Sequence, residues 1–121
     1  MKIEDLKIFC TDWLSSWTGN QPQQLLSFYA SQAYYRDPAK PEGLRGHAQL
    51  KPYLEKLLAK NPNWIWTAQE IIPTEKGFTL KWKAQIPKAS EIIIEEGLDL
   101  VEIENGKIIR NEVFFDPSKL K

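Results

Sequence analysis

The sequence predicts an α+β domain: three N-terminal helices packed on one face of a strongly curved, mostly antiparallel sheet, a cone enclosing a pocket. Three observations carry this. Apolar residues recur at steps of three and four as far as Lys60. From Trp64 the period falls to two. Asn105-Gly106 then sits between two apolar runs, as a tight hairpin turn requires.

The first helix places Ile3, Leu6, Cys10, Trp13 and Trp17 on one face and stops at Gly19-Asn20. Pro22 opens a shorter helix whose apolar set is Leu25, Leu26, Phe28 and Tyr29. Residues 32–36 suit a short strand that breaks at Asp37-Pro38, and 38–46 read as a Pro- and Gly-rich loop. A third helix runs from about His47 to Lys60, with Leu50, Tyr53, Leu54, Leu57 and Leu58 inward and Pro52 near its first turn. Phe78, Leu80, Trp82, Ala84 and Ile86 alternate strictly with Thr79, Lys81, Lys83 and Gln85, which marks a half-buried strand. Residues 92–103 and 108–115 form the closing hairpin, so four antiparallel strands follow the helices. No repeat or linker divides residues 1–121, which read as one domain.

Sixteen basic and sixteen acidic residues cancel, with no basic cluster, which argues against nucleic acid or an anionic membrane surface as partner. One Cys and one His cannot form an internal disulfide or an ordinary zinc site, so no metal is expected. The N-terminus lacks the pattern of a signal peptide, and no apolar run is long enough to span a bilayer. A soluble, cytoplasmic domain is the expectation. Five Trp, four Tyr and five Phe are many rings for this length and suit the lining of a cavity for an apolar small molecule.

Parity places the polar candidates. If Val101, Ile103, Val113 and Phe115 face the core, Asp99 and Asn111 face it too. Asp37 has two readings, a turn-former before Pro38 or a carboxylate aimed into the pocket. Trp13, Trp17, Tyr29, Tyr53, Trp82 and Phe115 are the candidate aromatic contacts. His47 suits a helix start, Cys10 a helix core, and Glu91, Glu95, Glu96, Glu102 and Glu104 solvated strand or turn positions.

The stretches WLSSWTGNQPQQLLSFYASQAYYRDP (13–38), GLRGHAQLKPYLEKL (43–57) and EGLDLVEIENGKIIRNEVFFDP (96–117) resemble the nuclear transport factor 2-like superfamily, in its SnoaL-like and ketosteroid-isomerase-like branches. The resemblance implies a general-base carboxylate at Asp37 and a protonated, hydrogen-bond-donating carboxyl at Asp99. It places Trp13 where the isomerases carry a tyrosine. An isomerase- or cyclase-type enzyme acting on an apolar carbonyl compound is one expected function, with no cofactor. Binding of an apolar ligand without turnover is the other. A hydrolase that orients water between two acids would need an arginine beside them, but Arg36 and Asp37 are strand neighbours and point to opposite faces. The resemblance also implies a homodimer through the outer sheet face, where Leu98, Leu100 and Phe114 lie with Lys81 and Lys83.

Overall fold

A computed structural model describes residues 2–120. Its elements are α1 (Ile3–Ser15), α2 (Pro22–Leu26), β1 (Tyr29–Asp37), β2 (Lys40–Arg45), α3 (Gly46–Lys60), β3 (Ile65–Pro73), β4 (Gly77–Lys88), β5 (Glu91–Glu104) and β6 (Lys107–Phe114), then a 3₁₀ turn (Pro117–Leu120). The six strands form one sheet in the order β2-β1-β6-β5-β4-β3. Every neighbouring pair is antiparallel except β1 with β6. The α+β class is therefore as the sequence implied. No helix among the described residues is long and apolar enough to cross a membrane.

Three local expectations change. The run 38–46 is not a loop, because Lys40–Arg45 pairs with β1 as an edge strand. Its Pro41 is tolerated because an edge strand can leave one side of its backbone unpaired. Tyr29 is not helical; α2 ends at Leu26 and Tyr29 opens β1. Trp17 lies past the last residue of α1, in the turn that follows it. That turn is fastened to the start of β3, where the Thr18 hydroxyl donates to the Trp64 carbonyl (2.7 Å) and Gly19 N–H to that of Pro62 (2.8 Å).

The core lies between the helices and the inner sheet face. Leu6, Cys10 and Trp13 of α1 and Leu50, Leu54 and Leu58 of α3 are buried against it. The alternating row Phe78, Leu80, Trp82, Ala84 and Ile86 on β4 is buried throughout, as the period of two required. Pro52 sits in the second turn of α3, where its ring denies the Ala48 carbonyl a helical donor. Both residues are exposed, so water can satisfy that carbonyl.

Candidate functional site

Sheet register decides what faces the pocket. On β5, Val101, Asp99, Gly97 and Glu95 lie opposite Phe78, Leu80, Trp82 and Ala84 of β4, and so share their inner face. On β6, Asn111 pairs with Val101 and Val113 with Asp99. On β1, Tyr35 pairs with Asn111 and Arg36 with Glu112, which brings Asp37 alongside Val113. Asp37 and Asp99 thus occupy one row with a single strand between them, about 10 Å of backbone spacing. Arg36 points the other way and pairs with Glu112 at 3.5 Å, so no arginine stands between the two acids.

These residues border a cavity of about 320 Å³. Its lining includes both acids and, of the expected aromatic contacts, Trp17, Tyr53, Trp82 and Phe115. Trp13, Tyr29 and Asn111 are buried behind that lining rather than in it. The structure adds Tyr35, Trp64, Trp66 and Glu95 to the wall. Glu95 corrects the expectation of a solvated charge, for it is 6% exposed. Its parity with Asp99 was the sequence signal that could have found it.

The two aspartates are held differently. Asp37 Oδ1 accepts the backbone N–H groups of Ala39 and Lys40, each at 2.9 Å. Its Oδ2 accepts the hydroxyls of Tyr35 (2.7 Å) and Tyr53 (2.5 Å). Four donors fill the acceptor positions of a carboxylate. The turn reading and the pocket reading of Asp37 are therefore both true: one oxygen closes the turn and the other faces two tyrosines. Burial first, and then the neighbouring Asp37, hold the Tyr35 and Tyr53 hydroxyls well above their ordinary acidity range, so both stay protonated donors.

Asp99 is the inner counterpart. Its Oδ1 accepts Trp82 Nε1–H (2.7 Å) and its Oδ2 accepts Asn111 Nδ2–H (3.0 Å). Asn111 Oδ1 in turn accepts the Tyr29 hydroxyl at 2.7 Å, so Tyr29 and Asn111 orient Asp99 from behind. Gly97 permits this arrangement. A Cβ there would lie 2.3 Å from the Trp82 ring and 2.8 Å from the Phe114 carbonyl oxygen, so only glycine lets the indole lie across β5 toward Asp99. Burial pushes the Asp99 carboxyl up to about 6; the Asn111 and Trp82 bonds oppose this, and the charge of Asp37 adds to it.

Trp13 Nε1 is buried without a hydrogen bond of normal geometry; it approaches the Tyr29 hydroxyl, which burial first and then Asp99 hold well above its ordinary value against that contact. The ring packs edge-on against Trp17 and Phe78. His47 is half-buried, with Nε2 2.8 Å from the Tyr29 carbonyl, which can only accept. Cys10 is a buried core thiol pushed up to about 12 by burial and then by Asp99. No group of His, Cys, Asp and Glu among the described residues is arranged to hold a metal ion.

The geometry defines a pocket domain with three acids in its wall. The family model of the SnoaL-like domain matches residues 10–111, and the chain belongs to that family. No curated protein matches the sequence. Solved structures share the fold at low identity. A SnoaL-like protein of unknown function from Burkholderia thailandensis is 16% identical, with a TM-score of 0.78 over 96% of this chain and 98% of that one. A protein with a ketosteroid isomerase-like fold from Catenulispora acidiphila, solved with trimethylamine, is 19% identical, with a TM-score of 0.76 over 88% of this chain and 84% of that one. A Shewanella putrefaciens protein described as a candidate SnoaL-like polyketide cyclase is 11% identical, with a TM-score of 0.79 over 96% of this chain and 82% of that one.

Proposed function

We propose that this chain binds a small, predominantly apolar carbonyl compound in the aromatic cavity and moves a proton on it, as an isomerase- or cyclase-type enzyme. The observation that carries the reading is that two buried carboxylates face one cavity in unlike hydrogen-bonding states. Proton transfer needs a group whose pKa lies near the working pH. Asp99 meets this condition at about 6 and has two donors, leaving acceptor capacity. Asp37, which the resemblance makes the base, has its oxygens filled by four donors, which leaves no free acceptor position facing a substrate. The reading therefore assigns the proton to Asp99. In this scheme the Asp99 carboxylate takes a proton from the carbon next to the carbonyl, giving a carboxylic acid and an enolate, and returns it to the same or a conjugated carbon. The Tyr53 and Tyr35 hydroxyls line the wall, and in this scheme one of them turns its single proton from Asp37 to the enolate oxygen. Asp37 is then the resting partner of those hydroxyls.

The test is proton exchange at the α-carbon of small cyclic ketones in D₂O, followed by NMR. The wild type is expected to incorporate deuterium, and Asp99→Asn to lose about 10²–10⁴ of that rate. Equal exchange in Asp99→Asn would remove Asp99 from the mechanism. A second reading is binding without turnover, and the four bonds at Asp37 favour it, since a saturated carboxylate suits structure better than chemistry. Binding to the cavity with no exchange above buffer would establish that reading.

The same proposal includes a homodimer through the outer sheet face. Leu98 (43% exposed) and Phe114 (46%) are cross-strand partners there, and Ile94 and Ile92 continue the strip along β5. Sedimentation at micromolar concentration should give a dimer, and Leu98→Glu a monomer. A monomeric wild type would overturn this part.

A further inference from the structure

Among the described residues the cavity lining holds three carboxyl groups, Asp37, Glu95 and Asp99, and no Lys, Arg or His. Two of the three are supplied with donors by the protein itself. Glu95 is not. It is 6% exposed, lines the cavity from β5 opposite Ala84, and its Oε2 has neither solvent nor a hydrogen-bond partner among the described residues. A buried carboxylate left in that state costs more than almost any other polar group, unless something supplies a charge. Among the described residues no protein cation does so. Lys40 stays outside the lining, its Nζ 5.5 Å from the centroid of the Tyr53 ring, and Lys83 has the outward parity of β4.

The walls near these acids are rings. Trp17 and Trp66 lie 5.8 Å apart by centroid, as do Trp64 and Trp66. Indole faces carry the strongest quadrupole among the side chains and attract a cation that has left water. An orphaned buried carboxylate in one cavity with mutually tilted indoles is the chemistry that recognises an organic ammonium group. It disfavours a carboxylate or phosphate ligand, which would meet three acids and no base.

We infer that the ligand of this cavity carries an organic ammonium group and that Glu95 is its counter-ion. This rests on the reading of the cavity as a ligand site and names one end of the molecule it takes. The apolar remainder would lie between the indoles and the Asp37–Asp99 row.

Two isosteric probes test it: benzyltrimethylammonium, a permanent cation, and neopentylbenzene, its neutral carbon analogue. Binding is read from quenching of the cavity tryptophans. The wild type is expected to prefer the cation by about ten-fold or more. Glu95→Gln should cut that preference several-fold, to what the indole faces alone supply. Glu95→Met, apolar and of similar length, should do the same, and stands in if the Gln variant does not fold. Equal affinity for the two probes in the wild type overturns the inference and leaves the cavity reading intact. Binding of neither probe defeats the cavity reading and the inference with it. A cation preference undiminished in the Glu95 variants removes Glu95 as the counter-ion.

Discussion

The rim turn at Asp37 and the sheet interior at Asp99 present the same functional group to the same cavity under opposite conditions. At the rim, the chain folds back through Pro38, and the carboxylate takes two donors from its own backbone and two from tyrosines. In the sheet, Asp99 lies between β4 and β6 and takes two donors from side chains on those strands, while burial opposes its charge. Local sequence builds the first environment; register builds the second. The lesson is that the chemistry of a carboxylate is set by how many donors reach it and how much water it has lost, not by its position in a motif.

The contrast can be broken from either side. The largest effect is expected for Asp37→Ala, which leaves two tyrosine hydroxyls and two N–H groups without their acceptor. A loss of about 3–5 kcal/mol in denaturant unfolding is expected. A loss below about 1 kcal/mol would mean that the turn does not depend on the carboxylate.

The next effect is one of pH. The folded chain holds the Asp99 proton more tightly than the unfolded chain, because the folded pKa is raised from 3.8 to about 6. The associated stability is therefore fully present below about pH 4 and is lost as pH rises through about 6. The difference in unfolding free energy between wild type and Asp99→Asn should change by up to ~3 kcal/mol across that window. A pH-independent difference would place Asp99 in an ordinary, solvated environment.

Gly97→Ala sharpens the comparison by striking the interior alone. The added methyl meets the Trp82 ring and the Phe114 carbonyl, so the indole must leave Asp99. About 1–3 kcal/mol of destabilisation is expected, with a shift in tryptophan emission. The smallest effect is expected of Tyr53→Phe, which removes one of the four Asp37 donors at the half-buried side of the rim and should cost about 1 kcal/mol. An unchanged melting curve would show that the Tyr53 bond is optional.

Much of this was legible in the sequence where the period was clean. The strict alternation from Phe78 to Ile86 fixed an inner face, and parity then carried Asp99 and Asn111 onto it. Other features were hidden for physical reasons. Lys40–Arg45 carries Pro41 and Gly43, which read as loop but are compatible with an edge strand. No Gly or Pro punctuates the change from α2 to β1, so Tyr29 reads as a continuation of the helix. Glu95 reads as solvated because a glutamate among glutamates usually is, although its parity with Asp99 points inward. Which residue of this segment meets the cavity was also hidden: Trp13 lies on the helix face the sequence marked, but Leu14 of α1 and Trp17 of the turn after it reach the wall.

The most direct test of the unlike-acids account is a carboxyl-carbon NMR titration of Asp99 in the intact protein, assigned by comparison with Asp99→Asn. The account predicts a midpoint at about 6. A midpoint near the ordinary aspartate value of about 4 would contradict it.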